Sequence, residues 1–190
     1  MCFKKMKSMK SDCTDEEEYR ELYRELLKKA CIAVNRENST RLTSNEIERI
    51  VKYISEKCKT PKDFEEYLRK EDYALVNDIR KLKNKEEKIR DNYSFATKLC
   101  HYACYHMYDN NRDRYPIFDS IIETHLEEYY KKYVSDTEYK KIRSTICDGN
   151  NDYVNYINNI DKIIRKIEGE NISKNGFDHL LWIYHSGKRV

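Results

Sequence analysis

"SFATKLCHYACYHMYDNNRDRYPIFDS", Ser94 to Ser120, decides how the chain folds. Phe95, Leu99, Tyr102, Ala103 and Met107 recur at helical spacing, so the first half reads as an apolar helix capped by Ser94. "DNNRDRYP", Asp109 to Pro116, is dense in turn formers and reads as a loop. Asp119 or Ser120 then caps a second helix through Ile121, Ile122, Leu126 and Tyr129. Lys98 sits one turn into the first helix, and Asp119 follows 21 residues later at the mouth of the second.

Helix patterns extend in both directions. Upstream, Thr14 to Asn35 places Tyr19, Leu22, Tyr23, Leu26, Leu27, Ala30 and Cys31 on a 3.6-residue period. "TSNE" at Thr43–Glu46 reads as a capping box before Ile47, Ile50, Val51 and Ile54. Thr60-Pro61 supplies a cap followed by proline at the first helical position. Asp72 to Arg90 continues as helix, apolar early and charged late. Downstream, Ser135–Glu138 is a second capping-box pattern, leading into Tyr139, Ile142 and Ile146. After the break "DGNN" at Asp148–Asn151 comes a helix from Tyr153 to Ile167, with Gly169 as its C-cap. Ser173 opens a last helix, which Gly187 ends.

No stretch alternates as a strand does, and no internal repeat is present. Four Gly and two Pro in 190 residues encode few sharp turns. The expected fold is all-α, nine or so helices flanking a central cleft. Residues 1–190 are expected to form a single helical domain, or two small lobes sharing a cleft, with 1–13 a flexible N-terminal tail.

A net charge of +3 is too small to diagnose a nucleic-acid partner, but its distribution is uneven. Asp12 to Glu25 carries seven carboxylates against Arg20 and Arg24, whereas Arg80 to Lys98 carries seven basic residues against three acidic ones. That basic run leads into the opening motif; it suits a phosphate-facing surface and equally a solvated helix face. Seven Cys, an odd number without framework spacing, fit a reduced compartment. "MCFKKMKSMK" has no apolar core of a signal peptide, and no run is long enough to span a bilayer. A cytoplasmic, intracellular protein is expected, with no membrane partner.

Lys98 lies among Phe95, Ala96, Leu99 and Tyr102. Partial burial there would disfavour its ammonium form and make the amine a nucleophile. A lysine attacking a sugar C1′ needs a carboxylate nearby to stabilise developing positive charge, and Asp119 is placed for that role. Taken singly, Asp119 reads as an N-cap and Lys98 as a surface lysine on an amphipathic helix. Cys100, His101, Cys104 and His106 invite a metal reading, but the two cysteines share a helix face that the histidines do not complete. No second ligand pair exists, so small buried cysteines and no metal are expected.

Apolar helix with embedded Lys98, loop, then "YPIFDS" opening another helix resembles the helix-hairpin-helix DNA glycosylases, nearest the 8-oxoguanine DNA glycosylase fold. The resemblance is specific over Tyr93 to Ile122 and extends loosely to "ISKNGFDHLLWIY" near the C-terminus. It implies an N-glycosylase and abasic-site lyase, a hydrolase and lyase of DNA repair, with Lys98 as catalytic nucleophile and Asp119 as its partner. It also implies double-stranded DNA as partner, action as a monomer and no cofactor. Phe177 and Trp182 become candidates for stacking on the flipped base. Lys85, Lys88, Arg90, Asn92 and Ser94, with Arg80, Lys81 and Lys83, become candidates for DNA contact. One departure stands out: the family's G-x-G hairpin turn is replaced by "RDNYSFATK", without glycine. That departure favours an alternative, a catalytically inactive helical module of the same fold that binds DNA or a protein partner.

Overall fold

The computed structural model describes residues 2–9, 15–38, 40–71, 73–82, 91–107, 113–135, 137–139, 152–167 and 172–187. Among them are nine helices and no strand, so the protein is all-α. The helices are α1 (Cys2–Lys7), α2 (Glu16–Glu37), α3 (Ser44–Lys57), α4 (Pro61–Arg69), α5 (Ala74–Arg80), α6 (Tyr93–Met107), α7 (Ser120–Tyr133), α8 (Asp152–Lys166) and α9 (Lys174–His185).

Local chemistry explains where most of them begin. The Asp15 carboxylate accepts the Glu17 and Glu18 amides at 2.9 and 3.3 Å, opening α2. Thr43 and Glu46 form a reciprocal capping box for α3, and Thr60 and Asp63 do the same for α4, with Pro61 at the first position. Ser173 accepts the Gly176 amide at 3.0 Å and opens α9. Beyond the far end of α9 the backbone turns left-handed at Gly187, φ 67°, where glycine carries no Cβ penalty.

The core sits around α6. Tyr93, Phe95, Ala96, Leu99, Cys100, Ala103, Cys104 and Met107 are all buried, so this helix is covered on most of its surface. It packs against α1, α2, α4 and α5. Helices α7, α8 and α9 pack on one another, and α8 also meets α5. Each fully buried Phe, Leu or Ile contributes roughly 1.5–3 kcal/mol relative to exposure.

Four sequence expectations need correction. Residues 2–7 do not belong to a flexible tail: Phe3 and Met6 are buried, and α1 packs on α2 and α6. The helix expected to run from Asp72 to Arg90 ends, in its described part, at Arg80, where Lys81 turns the backbone. Ser94 is not the cap of α6. The helix starts earlier, with the Ala96 amide donating to the Asn92 carbonyl at 2.9 Å and the Asp91 carboxylate taking the Tyr93 amide at 3.0 Å. Ser135 accepts the Thr137 amide at 3.2 Å in a turn, not a helix start.

Gly169, Ile142 and Ile146 lie outside the described residues, as do Thr14, Lys83, Lys85, Lys88 and Arg90. Among the described residues no helix is long and apolar enough to cross a membrane.

Candidate functional site

The segment that carries Asp119 is held along its whole length by side chains. His101 Nδ1–H donates to the Tyr115 carbonyl at 2.9 Å. Tyr153 donates to the Pro116 carbonyl at 2.7 Å, and Tyr156 donates to the Ile117 carbonyl. The Phe118 amide donates to Thr97 Oγ1 at 3.1 Å, and that hydroxyl lies 3.3 Å from the Phe118 carbonyl. Four consecutive carbonyls, buried or partly buried, thus all find side-chain donors from α6 and α8, as buried backbone requires. Thr97 and His101 are one helical turn apart on α6, so both reach the same strand of loop. Lys98 follows Thr97 directly.

Asp119 leaves this segment as the N-cap of α7, accepting the Ile121 and Ile122 amides at 3.0 and 3.2 Å. Lys98 and Asp119 line one cleft of about 400 Å³, with Asn38, Thr40, Asp91, Asn92, Ser94, Phe95, Phe118, Ser120 and Glu123 among its other walls. The volume falls within the range of small-ligand pockets. A larger open groove of about 1360 Å³ lies between α2 and α3. Its walls are alternating acids and bases such as the paired Lys28 and Glu48, a solvated surface rather than a chemical centre.

The cleft perturbs its lysine. Burial pulls the Lys98 ammonium below its usual pKa, while Asp119 and Asp178 pull the other way. No hydrogen bond or ion pair to a described residue engages its amine. Asp178, on α9, is the group that sequence reading missed. Its half-buried carboxyl is pushed up to about 7 by desolvation and then by the negative charge of Asp119, with Lys98 opposing. The Asn175 amide donates to Asp113 at 3.0 Å, which ties the start of α9 to the loop and so positions Asp178. Sequence held one hint: Asp178 is the one acid on its helix and stands next to the core residue Phe177.

Other candidates sit elsewhere. Phe177 is fully buried, edge-on to Tyr129 at 6.0 Å, a core residue rather than a wall of the cleft. Trp182 is 40% exposed and does not line the cleft either. Arg80 is 1% exposed, bonded to Asp91 at 3.1 Å with its guanidinium 4.4 Å over the Tyr93 ring, so it cannot reach a phosphate. Cys100 and Cys104 are buried, and burial pushes the Cys100 thiol up, as in an inert core cysteine. Among the described residues no group of three or more His, Cys, Asp or Glu could hold a metal ion.

The comparisons bear on the N-terminal part. No curated protein and no solved structure matches the chain. A family model described as HI_0787_N, an N-terminal domain, matches residues 3–113. The match takes in α1 to α6 and therefore Lys98, but ends before Asp119 and Asp178. It covers more than half of the sequence, and the chain belongs to the HI_0787_N N-terminal domain family.

Proposed function

We propose that the Lys98 cleft is the active site of a DNA glycosylase with abasic-site lyase activity, in a helix-hairpin-helix glycosylase-like fold. The observation that carries this reading is a desolvated lysine and a helix-capping aspartate lining one cleft. In the proposed reaction the neutral Lys98 amine attacks C1′ of a flipped nucleotide. The N-glycosidic bond breaks, its electron pair leaves with the base, and the base takes up a proton. Asp119 stabilises the positive charge that develops on the sugar. Ring opening gives a protonated Schiff base, from which β-elimination expels the 3′ phosphate oxygen. Asp178, whose charge Lys98 feels and whose carboxyl is pushed up to about 7, is the candidate to receive, through an intervening water, the proton that Lys98 must lose before attack.

A second reading, a non-catalytic helical module, draws on the start of α6. There the Tyr93 amide is already taken by the Asp91 carboxylate, and that carboxylate faces the cleft. A phosphate would find this N–H already taken where a glycine hairpin would offer free ones. The discriminating experiment incubates duplexes containing 8-oxoguanine, uracil or hypoxanthine with the protein at 50 and 200 mM salt. Base release supports the enzyme; salt-dependent binding without release supports the module. No duplex binding at low salt removes both nucleic-acid readings.

A further inference from the structure

We propose that Asn92 reads the ligand of the Lys98 cleft: its carboxamide oxygen accepts an N–H of a neutral nucleobase. The inference rests on the glycosylase reading for the identity of the ligand, and on three observations for the residue. Asn92 is only 5% exposed, it lines the cleft, and its Oδ1 has no hydrogen-bond partner. A buried acceptor without a donor is a cost that folding ordinarily removes, and binding a donor would remove it here.

The backbone of Asn92 is fixed on both sides. Its N–H donates to the Arg80 carbonyl at 3.3 Å and its carbonyl accepts the Ala96 amide at 2.9 Å. The side chain is therefore presented from a rigid helix start, as a reading group needs to be. Asp119 and Glu123 line the cleft with Lys98, the one cation among its described walls, and Asp91 beside them is paired with Arg80. The orphaned acceptor calls for a donor, and a neutral heterocycle with N–H groups supplies one without adding charge. The role differs from the phosphate contact expected of Asn92 from sequence: the orphaned atom is an acceptor, which a DNA phosphodiester, having no proton to donate, does not satisfy.

The test compares ligands before it compares variants. Binding of 2′-deoxyuridine, 2′-deoxyinosine and 8-oxo-2′-deoxyguanosine to the full chain is measured by ligand-observed NMR, each beside its counterpart methylated on the ring N–H. The wild-type protein is expected to prefer the N–H form at least tenfold in one pair or more, and Asn92→Leu to bring that ratio to within about twofold. Equal binding in all three pairs, no binding in any, or a ratio retained in Asn92→Leu overturns the proposal. Where Asn92→Leu fails to fold, the wild-type ratios decide alone. Borohydride trapping of the wild type on an abasic duplex, which has no base to read, reports on Lys98 separately. Trapping without an N–H preference overturns the role of Asn92 alone; a preference without trapping upholds Asn92 and retires the catalytic reading.

Discussion

Thr97 and Phe118 are bound to each other through one hydroxyl: the Phe118 amide donates to Thr97 Oγ1 at 3.1 Å, and that oxygen lies 3.1 Å from the Ser94 carbonyl and 3.3 Å from the Phe118 carbonyl. Each residue immediately precedes one of the two proposed catalytic groups. The spacing of Lys98 from Asp119 is thus set by a contact in the buried interior beneath them.

Thr97→Val keeps the shape and removes this contact. It is expected to destabilise the fold by about 1–2 kcal/mol, because it leaves the Phe118 amide buried without an acceptor. Thr97→Ser should lie close to wild type. Urea midpoints of the two variants check this, and equal midpoints would mean the hydroxyl holds nothing.

Asp119 serves as a cap, and its charge is a separate matter. Asp119→Asn retains an oxygen for the Ile121 and Ile122 amides, so its stability should stay near wild type, while Asp119→Ala loses about 1 kcal/mol. Both variants should lower Schiff-base formation at least tenfold. An Asp119→Asn protein as active as wild type would reduce the residue to its capping role.

Asp178 gives a pH dependence with a definite sign. Its folded value of about 7 lies above that of an unfolded carboxylate, so protonation favours the folded state. That contribution is fully present below about pH 4 and is lost as pH rises through 7. Relative to wild type, Asp178→Asn should therefore gain stability between pH 4 and 8, on the order of 2 kcal/mol after solvent screening. Carboxyl ¹³C shifts of Asp178 should show its titration rising in Lys98→Gln and falling in Asp119→Asn. Titration unmoved by either would mean the three groups do not share one field.

Arg80→Ala should destabilise by about 3 kcal/mol, since it strands Asp91 and opens space under Tyr93. If the protein binds DNA, the salt dependence of a folded Arg80→Lys variant should match wild type. A shallower slope would mean that Arg80 does reach phosphate.

Much of the architecture was legible from local rules. Asp119, Ser173, Thr43–Glu46 and Thr60-Pro61 announce helix starts through capping groups that act within a few residues. Where tertiary packing decides, sequence reading failed. Phe3 and Met6 are two apolar residues in a short lysine-rich run, and only the surfaces of α2 and α6 make them a helix. Arg80 looks like one more base in a basic run until Asp91 and Tyr93 close around it. His101 carried no assigned role in the sequence reading, and it supports the Tyr115 carbonyl. Asp178, 80 residues from Lys98, could be linked to its electrostatic field only once α9 was placed.

The central claim is that Lys98 is a nucleophile facing a sugar. Sodium borohydride trapping on a duplex carrying one abasic site tests it most directly. The wild-type protein is expected to give a covalent adduct of one chain per duplex, with the linkage mapped by mass spectrometry to Lys98, and Lys98→Gln to give none. No adduct with wild type, or an undiminished one with Lys98→Gln, would contradict the account.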